Sequence, residues 1–169
     1  GNGYCVFNDV AVATSYLKKK YKYKKILILD LDVHQGDGTA KIFESDDSVF
    51  TVSIHSKKNY PSKKQNSNID IELEDGIKDV EYLNIVNQLL QKISDFQFDF
   101  VFYVAGVDVH FEDRLGKLNI TETGIRKREE LVINNFFKKN IPLCGVLGGG
   151  YNYNFEQLVN LHSILHETC

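Results

Sequence analysis

The sequence predicts an α/β fold, a parallel sheet covered by helices on both faces, and three observations carry that expectation. Apolar runs of strand length recur four times, they are continuous rather than alternating, and amphipathic helical patterns separate them. Continuous apolar runs mark strands buried on both faces, and strands that alternate with helices mark a parallel sheet.

The elements follow in chain order. Asn8 is placed to cap a helix running through about Lys20, because an Asn side chain there can accept a free backbone N–H of the first turn. "KILIL" (25–29) reads as the first strand and "VFTVSI" (49–54) as the second. Asp79 is placed to cap a helix in which Val80, Leu83, Val86, Leu90 and Ile93 recur at helical spacing. "FDFVFYVA" (98–105) is the third strand, a helix covers roughly Thr123 to Lys139, and "IPLCGVL" (141–147) is the fourth strand. Phe155, Leu158, Val159, Leu161 and Leu165 give a C-terminal helix its apolar face. No repeat or Pro-rich linker divides the 169 residues, so one domain is expected. A chain of this order buries roughly two thirds of its unfolded surface, enough for a sizeable core.

Composition narrows the function. The apolar runs are far shorter than the roughly 20 residues needed to cross a bilayer, and no charged-then-apolar leader opens the chain. No membrane partner is expected, and a cytoplasmic location is, or a nuclear one for a eukaryotic source. Cys5, Cys144 and Cys169 are odd in number and form no CxxC, which argues against a disulfide framework or a thiolate zinc site. Through Lys64 there are eleven lysines against seven acids; beyond it, nine basic residues face sixteen acids. The basic half contains "KKKYKYKK" (18–25), which reads as a solvated helix end, since cations favour helix C-termini. Direct nucleic-acid binding is therefore not expected. The chain has no Met and opens at Gly1 inside an apparent loop, so a cleaved initiator or a missing upstream portion is expected.

Each predicted strand runs into polar or glycine-rich residues: "DLDVHQGDG", His55-Ser56, "GVDVH" and "GGGYNYN". In open α/β sheets ligands bind outside the carboxyl ends of the strands, so these four segments are expected at one edge. Asp32 and His34 stand two apart on an extended segment, leave it on the same side, and suit two ligands of one metal ion. Asp108, arriving from another strand, could complete a three-ligand face that leaves room for water. Two carboxylates and an imidazole neutralise a divalent cation and suit Zn²⁺, and the oxygen-rich set would also hold Fe²⁺ or Mn²⁺. Asp30 and Asp37 would then support the ligands from behind. Taken singly, Asp37 or Asp108 reads as a helix cap or an acceptor of backbone N–H groups. An ordinary turn, however, gives no reason for the acid-acid-His run at a strand end. His110, His162 and His166 read as structural, and His55 stays open. "GGGY" (148–151) permits close backbone approach and delivers Tyr151 as a hydrogen-bond donor to a substrate oxygen.

"GNGYCVFND" (1–9), "DLDVHQGDGT" (30–39), "YVAGVD" with "DRLG" (103–116) and "LGGGYN" (147–152) together resemble the zinc-dependent histone deacetylase family, especially its bacterial and class IV-like branch. The match runs in order over nearly the whole chain and implies the arginase/deacetylase fold. By that resemblance Asp32, His34 and Asp108 fall on metal ligands and Tyr151 on the catalytic tyrosine. Asp30 and Asp37 fall on acids that partner two histidines, and Gly3, Tyr4 and Gly149 on the wall of the acyl tunnel. Asp30 and Ser53 would correspond to a structural site for K⁺ or Na⁺. The implied substrate is an acylated lysine or an acylated small amine. The family's adjacent His-His pair, its general base and acid, stands upstream of the GxGxC loop, and this sequence contains no His-His. Residues 1–169 are therefore expected to be a partial deacetylase catalytic domain lacking its N-terminal part, with the missing segment as a partner. Two other readings compete. One is a catalytically dead, metal-containing binding module; the other is a phosphotransferase of the haloacid-dehalogenase type, which "ILILDLDVH" also resembles.

Overall fold

The computed structural model describes residues 3–169. Strands β1 (Ile26–Asp30), β2 (Val49–Ser56), β3 (Ile69–Leu73), β4 (Phe100–Ala105) and β5 (Leu143–Leu147) form one sheet in the order β3-β2-β1-β4-β5, every neighbouring pair parallel. Helices α1 (Asp9–Tyr21), α2 (Asp37–Phe43), α3 (Asp79–Lys92), α4 (Glu122–Phe137) and α5 (Phe155–Thr168) cover it.

β1 is central, which explains its unbroken apolar run. Leu27 and Leu29 point into a core shared with Tyr82 and Val86 of α3, Val132 of α4 and Leu161 of α5. Ile26 and Ile28 point to the opposite face, toward Val10 and Ala11 of α1 and Phe43 of α2. A strand covered on both faces has no position where a polar side chain would meet water.

Three expectations need correction. The sheet has five strands, not four, and α2 was not anticipated. β3 alternates, with Ile69, Ile71 and Leu73 turned inward and Asp70 and Glu72 exposed, because it lies at the sheet edge and water reaches one face. Asp79 does not cap α3. Lys78 holds that position, while the Asp79 carboxylate accepts the N–H of Thr121 at 2.8 Å and its hydroxyl at 2.6 Å, tying α3 to the start of α4. Of the expected apolar face, Val80 alone is exposed; Val86, Leu90 and Ile93 are buried as expected, joined by Tyr82 and Leu89. The predicted cap of α1 does hold, Asn8 accepting the Ala11 N–H; Asn154, which was not anticipated, accepts the Gln157 N–H at the start of α5.

β5 also departs from a doubly buried strand. Its residues are half-buried, Leu147 is 53% exposed, and among the described residues no strand pairs with its outer side. No helix is long and apolar enough to cross a membrane.

From β1 the chain builds β2 and β3 on one side, then crosses to build β4 and β5 on the other. The reversal falls between β1 and β4. In this architecture ligands usually bind in a crevice outside the carboxyl ends of the strands at such a reversal.

Candidate metal centre

Asp32 and His34 follow β1, and Asp108 follows β4, so the three side chains meet at the carboxyl edge from two neighbouring strands. His34 Nδ1 lies 3.1 Å from Asp32 Oδ1 and 3.1 Å from Asp108 Oδ2. One ligand atom from each of the three lies within 4.8 Å of the others. Backbone donors aim both carboxylates: Asp32 Oδ1 accepts the His34 N–H at 2.9 Å, and Asp108 Oδ1 accepts the Val33 N–H at 2.9 Å. A carboxylate held by backbone cannot swing out to water, which is the preorganisation a metal site needs.

The third contributor is β5 and the turn beyond it. Gly149 donates its N–H to Asp32 Oδ2 at 2.5 Å, while its carbonyl accepts the Val107 and Asp108 N–H groups at 2.7 and 3.2 Å. A Cβ on Gly149 would lie 2.0 Å from Asp108 Oδ2, so only glycine fits between the carboxylates. Tyr151 then stands edge-on to His34 with ring centroids 6.0 Å apart, and Tyr4 lies 6.2 Å beyond it, the two forming one aromatic wall. Tyr4 is 89% exposed, and both it and Gly3 adopt positive φ in the N-terminal turn.

The remaining candidates sit around this group. Asp30 is buried outside the converging trio and accepts the Asp32 N–H at 3.0 Å. Asp37 opens α2, also outside the trio. Ser53 is buried beside Asp30 in the sheet register, its Oγ 2.9 Å from His55 Nδ1. His110 Nδ1 accepts the Glu112 N–H at 3.3 Å. His55 and His110 are thus both engaged away from the trio.

The "DRLG" segment has a role that sequence reading left blank. Asp113 Oδ2 accepts the Tyr151 N–H at 2.6 Å, and Arg114 Nε donates to the Tyr151 carbonyl at 2.5 Å. An acid next to a base inside a glycine-bounded motif was the available signal, but its target is 37 residues or more away in sequence.

Two carboxylates this close must share a cation. Burial opposes charge on His34, but its hydrogen bonds to Asp108 and Asp32 outweigh burial and raise its pKa to about 10. Burial and the neighbouring Asp32 charge push Asp108 up to about 8. The imidazolium proton therefore occupies the place that a divalent cation would take, and the donor set fits such an ion. A pH prediction follows from the signs. His34 keeps its proton in the fold up to about 10 but releases it near 6.5 when unfolded, so its contribution is complete below pH 6.5 and is lost as pH rises toward 10. Asp108, raised from 3.8, acts in the same direction up to about pH 8. His55, His110 and His162, all lowered by burial, are neutral in both states above pH 7 and add nothing there. Chelator-treated protein is expected to show a urea midpoint that falls from pH 7 to 9, and His34→Asn a flatter profile; equal slopes would contradict the assignment.

Comparison with known proteins places the chain. The histone deacetylase domain model matches residues 1–164. Over 170 aligned residues the chain is 48% identical to an uncharacterized protein of Picosynechococcus sp., covering all of this chain and 57% of that protein. It is 33% identical over 155 residues to histone deacetylase 2 of Arabidopsis thaliana, covering 89% of this chain and 40% of that one. Among solved structures, the HDA15 HD domain superposes with a TM-score of 0.81 at 28% identity, covering 99% of this chain and 51% of that one. The chain thus spans about half the length of the relatives it matches.

Proposed function

Because the chain belongs to the histone deacetylase family, we propose that it carries the metal-holding part of an amidohydrolase site that removes the acyl group from an acylated lysine or an acylated small amine. The observation that carries this reading is the meeting of Asp32, His34 and Asp108 with Tyr151 at the carboxyl ends of β1 and β4. Asp32, His34 and Asp108 would hold the ion, Zn²⁺ or alternatively Fe²⁺ or Mn²⁺. When bound, such an ion supplies Lewis acidity that polarises an amide carbonyl and lowers the pKa of a water from about 15.7 toward about 7.

The chain's own residues supply the rest. Burial and the nearby Asp32 and Asp108 charges push the Tyr151 phenol up to about 12, so it keeps its proton at neutral pH and serves as a donor. That O–H would stabilise negative charge developing on the substrate oxygen. Asp113 and Arg114 fix its backbone from both sides. Tyr4 and Tyr151 offer apolar faces to the acyl stem, with Gly3 leaving open space beside them, whereas Gly149 is filled in by the Asp32 and Asp108 carboxylates. Asp30 and Ser53, adjacent in the sheet, are the side chains that would contribute to a K⁺ or Na⁺ site.

No adjacent histidine pair lies among these 169 residues, and His55 and His110 are turned elsewhere. A proton acceptor is needed to activate the water, and its assistance is worth about 10²- to 10⁴-fold. We place it on an N-terminal segment that pairs with this chain, and the half-buried outer edge of β5 is the surface that suits such pairing. Phosphoryl transfer gains no support, because Asp30, its required nucleophile, is buried against the Asp32 N–H.

The test is hydrolysis of acetyl-lysine peptides and acetylated polyamines by the 169-residue chain alone and together with its upstream segment, metal content being assayed in parallel. We expect near silence from the first and metal-dependent turnover from the second, cut about 10²- to 10³-fold by Tyr151→Phe. Silence from a metal-loaded, complemented sample would favour the binding-module reading instead.

A further inference from the structure

Arg128 lies inside α4 and is fully buried, where an unpaired guanidinium would be strongly destabilising. Its partners are specific. Nη1 donates to the carbonyls of Gly106 at 2.8 Å and Leu31 at 3.3 Å, and Nη2 donates to Glu129 Oε1 at 2.6 Å. The other Glu129 oxygen accepts the Tyr103 hydroxyl at 2.5 Å. Glu129 and Tyr103 are likewise buried, at 1% and 0% exposure, so the guanidinium is held in one orientation by groups that have no solvent alternative.

The two carbonyls matter because of where they stand. Leu31 directly precedes Asp32, and Gly106 precedes Asp108 by two residues. Both lie at the point where the β1–β4 ladder ends: the Leu31 N–H still donates to the Val104 carbonyl at 3.1 Å, and the register stops there. Beyond that point the strand ends carry two carboxylates that repel each other. One planar cation bonded to both carbonyls bridges the ends from α4.

We propose that Arg128 is the positioning residue of the metal centre: locked by Glu129 and Tyr103, it sets the separation of the β1 and β4 ends and thereby the convergence of Asp32 and Asp108 on His34. The proposal rests on the reading of that trio as a metal site. Apolar side chains would fill the same volume without the desolvation cost of a buried ion pair, so a purely packing role does not account for the charge.

The test measures Zn²⁺ affinity of the folded chain by competition with a chromophoric chelator, Co²⁺ absorption as a signature of ligand geometry, and urea midpoints in the absence of metal. Arg128→Lys retains one cation but not the bridge, and is expected to weaken Zn²⁺ binding about 10- to 100-fold, as supporting groups behind metal ligands typically do, with an altered Co²⁺ spectrum. Tyr103→Phe removes only the hydroxyl that orients Glu129, and is expected to shift affinity in the same direction by less; it carries the test if Arg128→Lys does not fold. Val132→Ala, in the same helix and core, supplies a destabilised control whose Zn²⁺ affinity should match the unmodified chain. Arg128→Lys and Tyr103→Phe proteins that lose stability but bind Zn²⁺ and Co²⁺ as the unmodified chain does would overturn the proposal. An unmodified chain that takes up neither ion would overturn the metal-centre reading itself, a different and separately visible failure.

Discussion

Asp32→Asn is expected to nearly abolish retention of a divalent ion, whereas Asp30→Asn and Asp37→Asn are expected to weaken it about 10- to 100-fold. Both oxygens of Asp32 are in use: Oδ1 accepts the His34 N–H and faces His34 Nδ1, and Oδ2 accepts the Gly149 N–H. An amide offers one acceptor, so it must either drop a backbone donor or turn its NH₂ toward the ion. It also removes one of the two negative charges that make the site attractive to a divalent cation. Asp30 and Asp37 lie outside the trio, so their loss alters the surroundings of the donors without removing one. Metal content after dialysis against a chelator, measured for the three variants alongside the unmodified chain, decides the matter. Equal losses at all three positions would contradict the division of roles.

Gly149→Ala is expected to be as damaging to metal binding as Asp32→Asn, although it changes no polar atom. The added methyl would sit 2.0 Å from Asp108 Oδ2 and 2.8 Å from Asp32 Oδ2. The backbone has no room to retreat, because Gly149 is hydrogen-bonded through its N–H to Asp32 and through its carbonyl to Val107 and Asp108. The carboxylates must therefore move apart, and overpacking of this kind typically costs about 1–3 kcal/mol of stability as well. Gly38→Ala is the matched control. It lies in α2, where the nearest atom to an added methyl is Asn8 Nδ2 at 3.8 Å, an ordinary contact. That variant should bind metal normally and gain a little stability from a less flexible unfolded chain, about 0.4–1 kcal/mol. Normal Zn²⁺ binding by folded Gly149→Ala would show that the carboxylates do not need their observed separation.

If the proposed reading holds, proton supply and metal retention are separable in this chain. On the proposed reading, Asp32 and Asp108, aimed by backbone N–H groups, would hold the ion, and Tyr151, whose own N–H is held by Asp113, would donate to substrate. The same reading puts the base that completes the chemistry on another segment. Metal binding without turnover is thus the expected behaviour of these 169 residues, and it is the state in which Arg128, Gly149 and Asp32 are most cleanly tested.

What the sequence alone determined is whatever repeats or combines over a few residues. Unbroken apolar runs marked β1, β2, β4 and β5, helical spacing marked α1, α3, α4 and α5, and the two-residue interval from Asp32 to His34 put both on one side of an extended segment. β3 escaped because edge exposure made it alternate, and α2 because seven residues at a glycine-rich turn carry little periodicity. The tertiary structure alone decided which strand ends became neighbours. Asp108 meets His34, 74 residues away, only because β4 crosses back to pair with β1. Arg128 reads in sequence as one more charge on a helix, yet lies buried beneath both strand ends. Periodicity reports how each segment divides between core and water, but strand order and the partner of a buried charge follow from packing between segments far apart in the chain, for which no local pattern exists.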